Sequence, residues 1–271
     1  MAGTAVPRAT PSEQQLPIYA SWCTAVEGNT TFYGVPSAET VDSWAAGAPE
    51  GFRFMFKFPR TVTHEHRLRG AAIEDAIGFL EVIAPLGERC DPVAIQLPDR
   101  SHRSNSATST GSSSGCRPPI GTRSRSGIRS SSPTPRRPIA WRRSAAADVE
   151  WIVFDTTTMF AAPPTSEAER VAWENKPRVR RRTRCLTDRP VLRYLGRDDL
   201  DATVAGWQRW LPRLAQWLEE GRSPTVFVHT PGNEVVPALA RLLHEQVAAL
   251  VPGLAPLPDP TLNEPETLFD A

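Results

Sequence analysis

Short apolar runs alternate along this chain with stretches whose apolar residues recur at helical spacing. Phe52-Arg-Phe-Met-Phe-Lys-Phe58 puts an aromatic ring at every second position, the period of a β-strand. Ala25-Val-Glu-Gly-Asn29, followed by Thr31-Phe-Tyr33, reads as a strand ending in polar residues. Pro92 to Leu97, Trp151 to Asp155, Val191 to Tyr194 and Thr225 to His229 are short runs rich in β-branched and aromatic residues. They have the character of parallel strands covered on both faces. Helices are predicted between them. Ser37 follows Pro36 and is placed to cap a helix running to Trp44, and a second helix spans roughly Ala72 to Leu86. Trp207, Trp210, Leu211, Leu214, Trp217 and Leu218 form one apolar stripe, and Val235, Leu239, Leu242 and Leu243 form another. Three tryptophans on such a stripe fit packing against a sheet better than a ligand cage. Strand-then-helix alternation implies right-handed crossovers and a mainly parallel sheet.

The ends of these strands carry the candidate chemistry. Glu27, Asn29, Lys57, Gln96, Asp155, Arg193 and His229 each lie at or near the C-terminal end of an apolar run. In a (β/α)8 barrel those ends converge on one face, where active sites are built. A lone polar residue there can simply cap a strand, but the feature is shared by six strands. Glu27, Lys57, Asp155 and His229 are the candidate catalytic residues, because carboxylate, amine and imidazole groups serve acid–base chemistry. Asn29, Gln96 and Arg193 are candidate substrate-binding residues. Arg193 beside Lys57 would suit a phosphate or a carboxylate. The plain alternative is an internal Lys57–Glu27 ion pair.

Composition narrows the class. The chain has 271 residues, of which 40% are hydrophobic and 23% charged, enough for one large core. No apolar run is long enough to cross a membrane, and the N-terminus lacks a basic stretch followed by an apolar one. Cys23, Cys90, Cys116 and Cys185 lie far apart with no CxxC pair. A cytoplasmic protein with free thiols is expected. His64-x-His66 has no partner at recognisable ligand spacing, so no metal is expected. Glycine-rich phosphate loops are absent, so no nucleotide cofactor is expected either. The anticipated partner is a small molecule; neither membrane nor nucleic acid is anticipated.

The net charge of +1 conceals an uneven distribution. Residues 100–147 contain ten Arg, no Asp or Glu, and no Leu, Val or Phe. Such a stretch cannot bury enough apolar surface to offset its ordering entropy, and it is expected to lack packed structure. Three readings compete: a flexible basic linker, a nucleic-acid-binding arm, and a stretch translated in the wrong reading frame.

The flanking segments resemble the domain-of-unknown-function 72 family, the YecE-like proteins. The matching stretches are Val26 to Leu68, VAIQLP, WIVFDTTTMFAAPPTSEAER, ENKPR, RPVLRYLGR and TVFVHTPGN. The resemblance implies a TIM-type barrel whose activity is not settled for the family. It also implies two missing pieces: an opening strand with a Gly-x-x-x-Trp-like pattern, and a central strand reading Glu-Val-Arg-His-Pro. The central gap falls in the Ser/Arg/Pro window, and Thr122 to Ser132 in a shifted frame can encode that strand. The reading-frame explanation is therefore favoured. The expected architecture is an incomplete α/β (β/α)8 barrel, built from residues 1–99 and 148–271 around a disordered 100–147. Its expected role is to bind or act on a small polar or anionic substrate. The alternatives are a degenerate barrel without activity, and a two-part protein whose basic linker touches nucleic acid.

Overall fold

The computed structural model describes residues 12–98, 122–125 and 149–259. Seven parallel strands lie in two sheets. The first sheet is ordered β1 (Ala25–Gly28), β2 (Arg53–Lys57), β3 (Cys90–Gln96) and β4 (Thr122–Arg125). The second holds β5 (Val153–Asp155), β6 (Val191–Leu195) and β7 (Thr225–His229) in that order. Every pairing joins consecutive strands in parallel, as right-handed crossovers require.

The six strands expected from the apolar runs are all present. A seventh strand, β4, lies inside the stretch predicted to lack packed structure. It pairs with β3 from Val93↔Thr122 to Gln96↔Arg125, filling the central position expected to be empty. Its composition hides it because the ladder is made by backbone groups, which every residue carries, and β3 offers an open edge. The rest of 100–147, and with it the reading-frame explanation, lies outside the described residues.

The described strands form no closed sheet. Among the described residues no strand pairing joins β4 to β5 or β7 to β1, so two curved half-sheets face each other. What fills the space between them is a layer of inward side chains: Met55, Ala94, Ile152 and Val191, with Phe227 packed against them. Such a layer is how barrel interiors are filled.

Outside the first sheet, the alternating rings of β2 meet the helices α1 (Ser12–Ala20), α2 (Ala38–Gly47) and α3 (Ala72–Ile83). Phe52, Phe54, Phe56 and Phe58 face outward, which leaves Met55 and Lys57 facing in. Ser37 caps α2 as anticipated, its hydroxyl accepting from the Thr40 N–H at 3.2 Å. Gly28 in β1 is required by the Phe56 ring, since a Cβ there would come within 2.6 Å of it.

The second sheet is covered by α4 (Glu167–Asn175), α5 (Leu200–Trp207), α6 (Leu211–Glu219) and α7 (Val236–Ala248). The tryptophan stripe, expected as one helix, is split between α5 and α6 by a 3-10 turn over Gln208–Trp210. Pro212 has no N–H for the Gln208 carbonyl, so the tighter turn takes over there. Trp207, Trp210 and Trp217 remain on one buried face despite the break.

Candidate functional site

Glu27 is the hub of an ion cluster on the inner face of the strands. Its carboxylate lies 3.1 Å from Lys57 Nζ on β2 and 2.8 Å from an Arg193 guanidinium nitrogen on β6. His229 Nε2, on β7, stands 3.7 Å away. The side chains of Glu27, Lys57 and Arg193 are at most 9% exposed, whereas that of His229 is 29% exposed. Asn29, at the exposed turn after β1, accepts a hydrogen bond from Lys57 Nζ through its Oδ1. Five of the seven anticipated residues therefore meet, contributed by β1, β2, β6, β7 and the turn that follows β1. The cluster is also the anticipated Lys57–Glu27 ion pair, extended by two further groups.

Strand register explains the convergence. Met55, Val191 and Phe227 face inward at one level. Lys57, Arg193 and His229 lie two residues further along and share that face at the next level. Thr31 fixes the height of the pair on β1 and β2. Its hydroxyl donates to the Lys57 carbonyl at 2.8 Å and accepts from the Lys57 N–H at 3.2 Å. Phe154 supplies a ring beneath the Arg193 guanidinium, 5.6 Å from its centroid. Neither Thr31 nor Phe154 is singled out by the sequence, since both read as ordinary strand or turn residues.

Asp155 does not join the cluster. It follows the inward Phe154, so its side chain turns to the helices. There Oδ2 accepts from the Trp210 indole N–H at 2.7 Å, and Oδ1 accepts from the Thr157 N–H at 2.9 Å. In the continuous apolar run Trp151 to Asp155 no alternation reveals which residues face inward, so its direction is not legible from sequence. Gln96 lies two residues beyond inward Ala94 and is half-buried on that same face. His64 and His66 have separate partners: the ring of His64 meets Phe32 edge-on, and His66 Nε2 lies 3.4 Å from Asp75.

Charge in the cluster is asymmetric. Burial alone would push the Glu27 carboxyl up. The Arg193 and Lys57 charges beside it, helped by His229, outweigh burial and hold it below the ordinary carboxylate range. Among the described residues, Glu27 is the carboxylate that both of these cations face. An Arg193 guanidinium N–H lies 3.3 Å from His229 Nε2. Arginine can only donate, so in this contact the imidazole nitrogen is the acceptor. Arg193 Nε is buried and has no hydrogen-bond partner among the described residues. Cys23, close by in the wall of the adjoining cleft, has its thiol pushed up to about 11 by burial, so it is no thiolate nucleophile.

Parallel sheets with a His-bearing ion cluster at the C-terminal ends of their strands define an α/β protein. The model for the protein family of unknown function DUF72 matches residues 1–262. This chain belongs to that family. The UPF0759 protein YecE of Escherichia coli K12 is 30% identical over 261 residues, covering 89% of this chain and 88% of its own length. The same protein of Escherichia coli O157:H7 matches equally. A DUF72 family protein from Thermotoga maritima superposes with a TM-score of 0.57 at 17% identity, covering 92% of this chain and 95% of its own. One from Enterococcus faecalis V583 gives 0.55 at 18% identity, covering 89% and 94%. At these identities the structural likeness speaks for the fold alone.

Proposed function

We propose that the Glu27 cluster binds a small anionic molecule at the C-terminal ends of the strands, with His229 as its acid–base group. The observation that carries this reading is that Arg193 and Lys57 converge on Glu27 while the buried Arg193 Nε has no hydrogen-bond partner among the described residues. A phosphate or carboxylate would complete that set. Lys57 and Arg193 would bind it, Asn29 would hold the Lys57 ammonium in place, and Glu27 would keep both cations charged and aimed. When an anion draws the Arg193 guanidinium away from Nε2, the imidazole lone pair is released and can take a proton from the bound molecule. Asp155 has no part in this reading. Gln96 is on the same face and could contact a larger ligand.

Thermal shift with inorganic phosphate and with simple sugar phosphates tests the reading. A concentration-dependent rise in Tm is expected, and Arg193→Met should remove it. His229→Gln should keep the rise while abolishing any turnover found. Absence of a shift with every anion, or an equal shift in Arg193→Met, would sink the reading. A rise with no turnover on any phosphate ester would favour a binding protein over an enzyme.

A further inference from the structure

We propose that a pocket between the loop after α4 and the 3-10 turn at Gln208–Trp210 binds the di- or triphosphate of a small molecule, whose uncharged body, a nucleoside, lies on an apolar shelf beside it. The site shares no lining residue with the Glu27 cluster and stands independently of the anion reading above.

A cavity of about 430 Å³ is lined by Arg178, Arg180, Arg181 and Arg209, with Thr156 and Thr157 at its floor and no acidic side chain. Three of these arginines come from the loop 176–185, which itself holds no Asp or Glu. Thr156 ties that loop to the end of β5. Its hydroxyl donates to the Pro177 carbonyl at 3.2 Å and accepts from the Val179 N–H at 3.4 Å. Arg178 is stacked on two rings, its guanidinium carbon 4.8 Å from the Phe160 centroid and 4.5 Å from that of Trp173. Stacking occupies the faces of the guanidinium and leaves its N–H edge for a ligand. Arg209 donates through Nε to the Gly206 carbonyl at 2.9 Å, which leaves its two terminal nitrogens. Among the described residues none of the four has a carboxylate within ion-pair distance, and Arg180 and Arg181 are exposed with no partner. Asp155, one residue before Thr156, has its oxygens committed to the Trp210 indole and the Thr157 N–H.

These features select the occupant. Four guanidiniums around one cavity repel each other, and arginine cannot shed its proton, so a bound polyanion relieves the repulsion. A single phosphate carries at most about two negative charges, so four arginines call for two or more linked phosphoryl groups. A second cavity of about 610 Å³ adjoins the first across Thr157 and Arg209, which line both. Its wall is apolar, with Ala161, Pro164, Ala202 and Ala205. Arg197 in that wall is already held by Glu169 at 2.7 Å and by the carbonyls of Ala162 and Pro163. Asp199 caps α5, its Oδ1 accepting from the Ala202 N–H at 3.0 Å. Its charge turns phosphate away from this end, and Oδ2, unpartnered among the described residues, can accept from a sugar hydroxyl. The two cavities thus set a direction, with phosphates at the arginines and the uncharged body over the alanines. Side-chain guanidiniums take the place of the backbone amides of a glycine-rich loop, so no glycine motif marks the site.

The test is isothermal titration calorimetry of the whole chain at low salt, without divalent cations, against adenosine triphosphate, adenosine monophosphate and inorganic triphosphate. Adenosine triphosphate should bind at one site per chain, about tenfold or more tighter than the monophosphate. Replacing both exposed arginines, Arg180→Ser with Arg181→Ser, should weaken both triphosphates about tenfold or more and leave the Tm unchanged. Ala205→Met fills the shelf and should weaken adenosine triphosphate about tenfold while leaving inorganic triphosphate as it was. Absence of binding, or binding unchanged in the double variant, overturns the site. Loss of binding in Arg193→Met would place the ligand at the Glu27 cluster and overturn it as well. Equal affinity for the mono- and triphosphate overturns the polyphosphate requirement, and equal affinity for the two triphosphates overturns the shelf contact. A thymidine oligonucleotide that binds more tightly than adenosine triphosphate and displaces it assigns the arginines to nucleic acid, which also overturns the proposal.

Discussion

Glu27, with its side chain 4% exposed, would be protonated readily if burial were its only influence, yet Arg193 and Lys57 hold its carboxyl below the ordinary range. The consequence for stability has a definite sign. A carboxyl depressed in the folded state stabilises the fold above its unfolded value, near 4.3 for glutamate, and that contribution is lost as pH falls through the folded value. Glu27→Gln leaves two cations buried without a counter-charge and should cost about 3–5 kcal/mol at neutral pH. Urea unfolding at a series of pH values checks this. The gap between wild type and Glu27→Gln should begin to narrow as the pH drops below about 4.3, where the unfolded carboxyl takes up a proton, and close as it falls through the lower folded value. A gap independent of pH would show that Glu27 matters by shape rather than charge.

At the scale of elements, the sequence told most where alternation was visible and least where it was not. The Phe52 to Phe58 run fixes which face of β2 meets helices, so Lys57 could be placed inside from sequence alone. Val153–Asp155 is buried on both faces, and the same reasoning could not see that Asp155 belongs to Trp210. Composition gave no sign of β4, because a backbone ladder does not depend on apolar side chains. Family resemblance supplied the expectation of an incomplete barrel, and among the described residues the sheet is not closed. Two substitutions test the outer layer. Trp210→Phe leaves Asp155 Oδ2 buried without its donor and should cost about 1–3 kcal/mol, read from the urea midpoint. Gly206→Ala puts a Cβ within 2.3 Å of the Tyr194 hydroxyl and 2.1 Å of Thr158 Oγ1. That crowding should cost about 1–3 kcal/mol and expose the Tyr194 phenol, whose ionisation burial now pushes up to about 12. A phenol still titrating near 12 in Gly206→Ala would mean that the helix simply shifts outward.

For the molecule as a whole, the described residues join the two sheets through side chains, among them the Met55, Ala94, Ile152, Val191 and Phe227 layer and the ion cluster above it. A ring bonded throughout has its circumference set by its strands. Here, among the described residues, no backbone ladder fixes how far apart β7 and β1 stand. Amide hydrogen exchange should register this as faster exchange at Glu27, Val226 and Val228 than at Leu192 and Tyr194 inside the second sheet. Uniform protection across β1 and β7 would mean that something already covers both edges. The same feature makes the polypeptide severable. A break between residues 126 and 148 would leave each fragment one of the two described sheets with its helices, and no described strand would be cut. Produced as two separate chains, residues 1–126 and 148–271 should recognise each other through the apolar layer and co-purify from a tag on either one. Met55→Asp should part them, and fragments that ignore each other without that substitution would show that continuity of the chain holds the halves together.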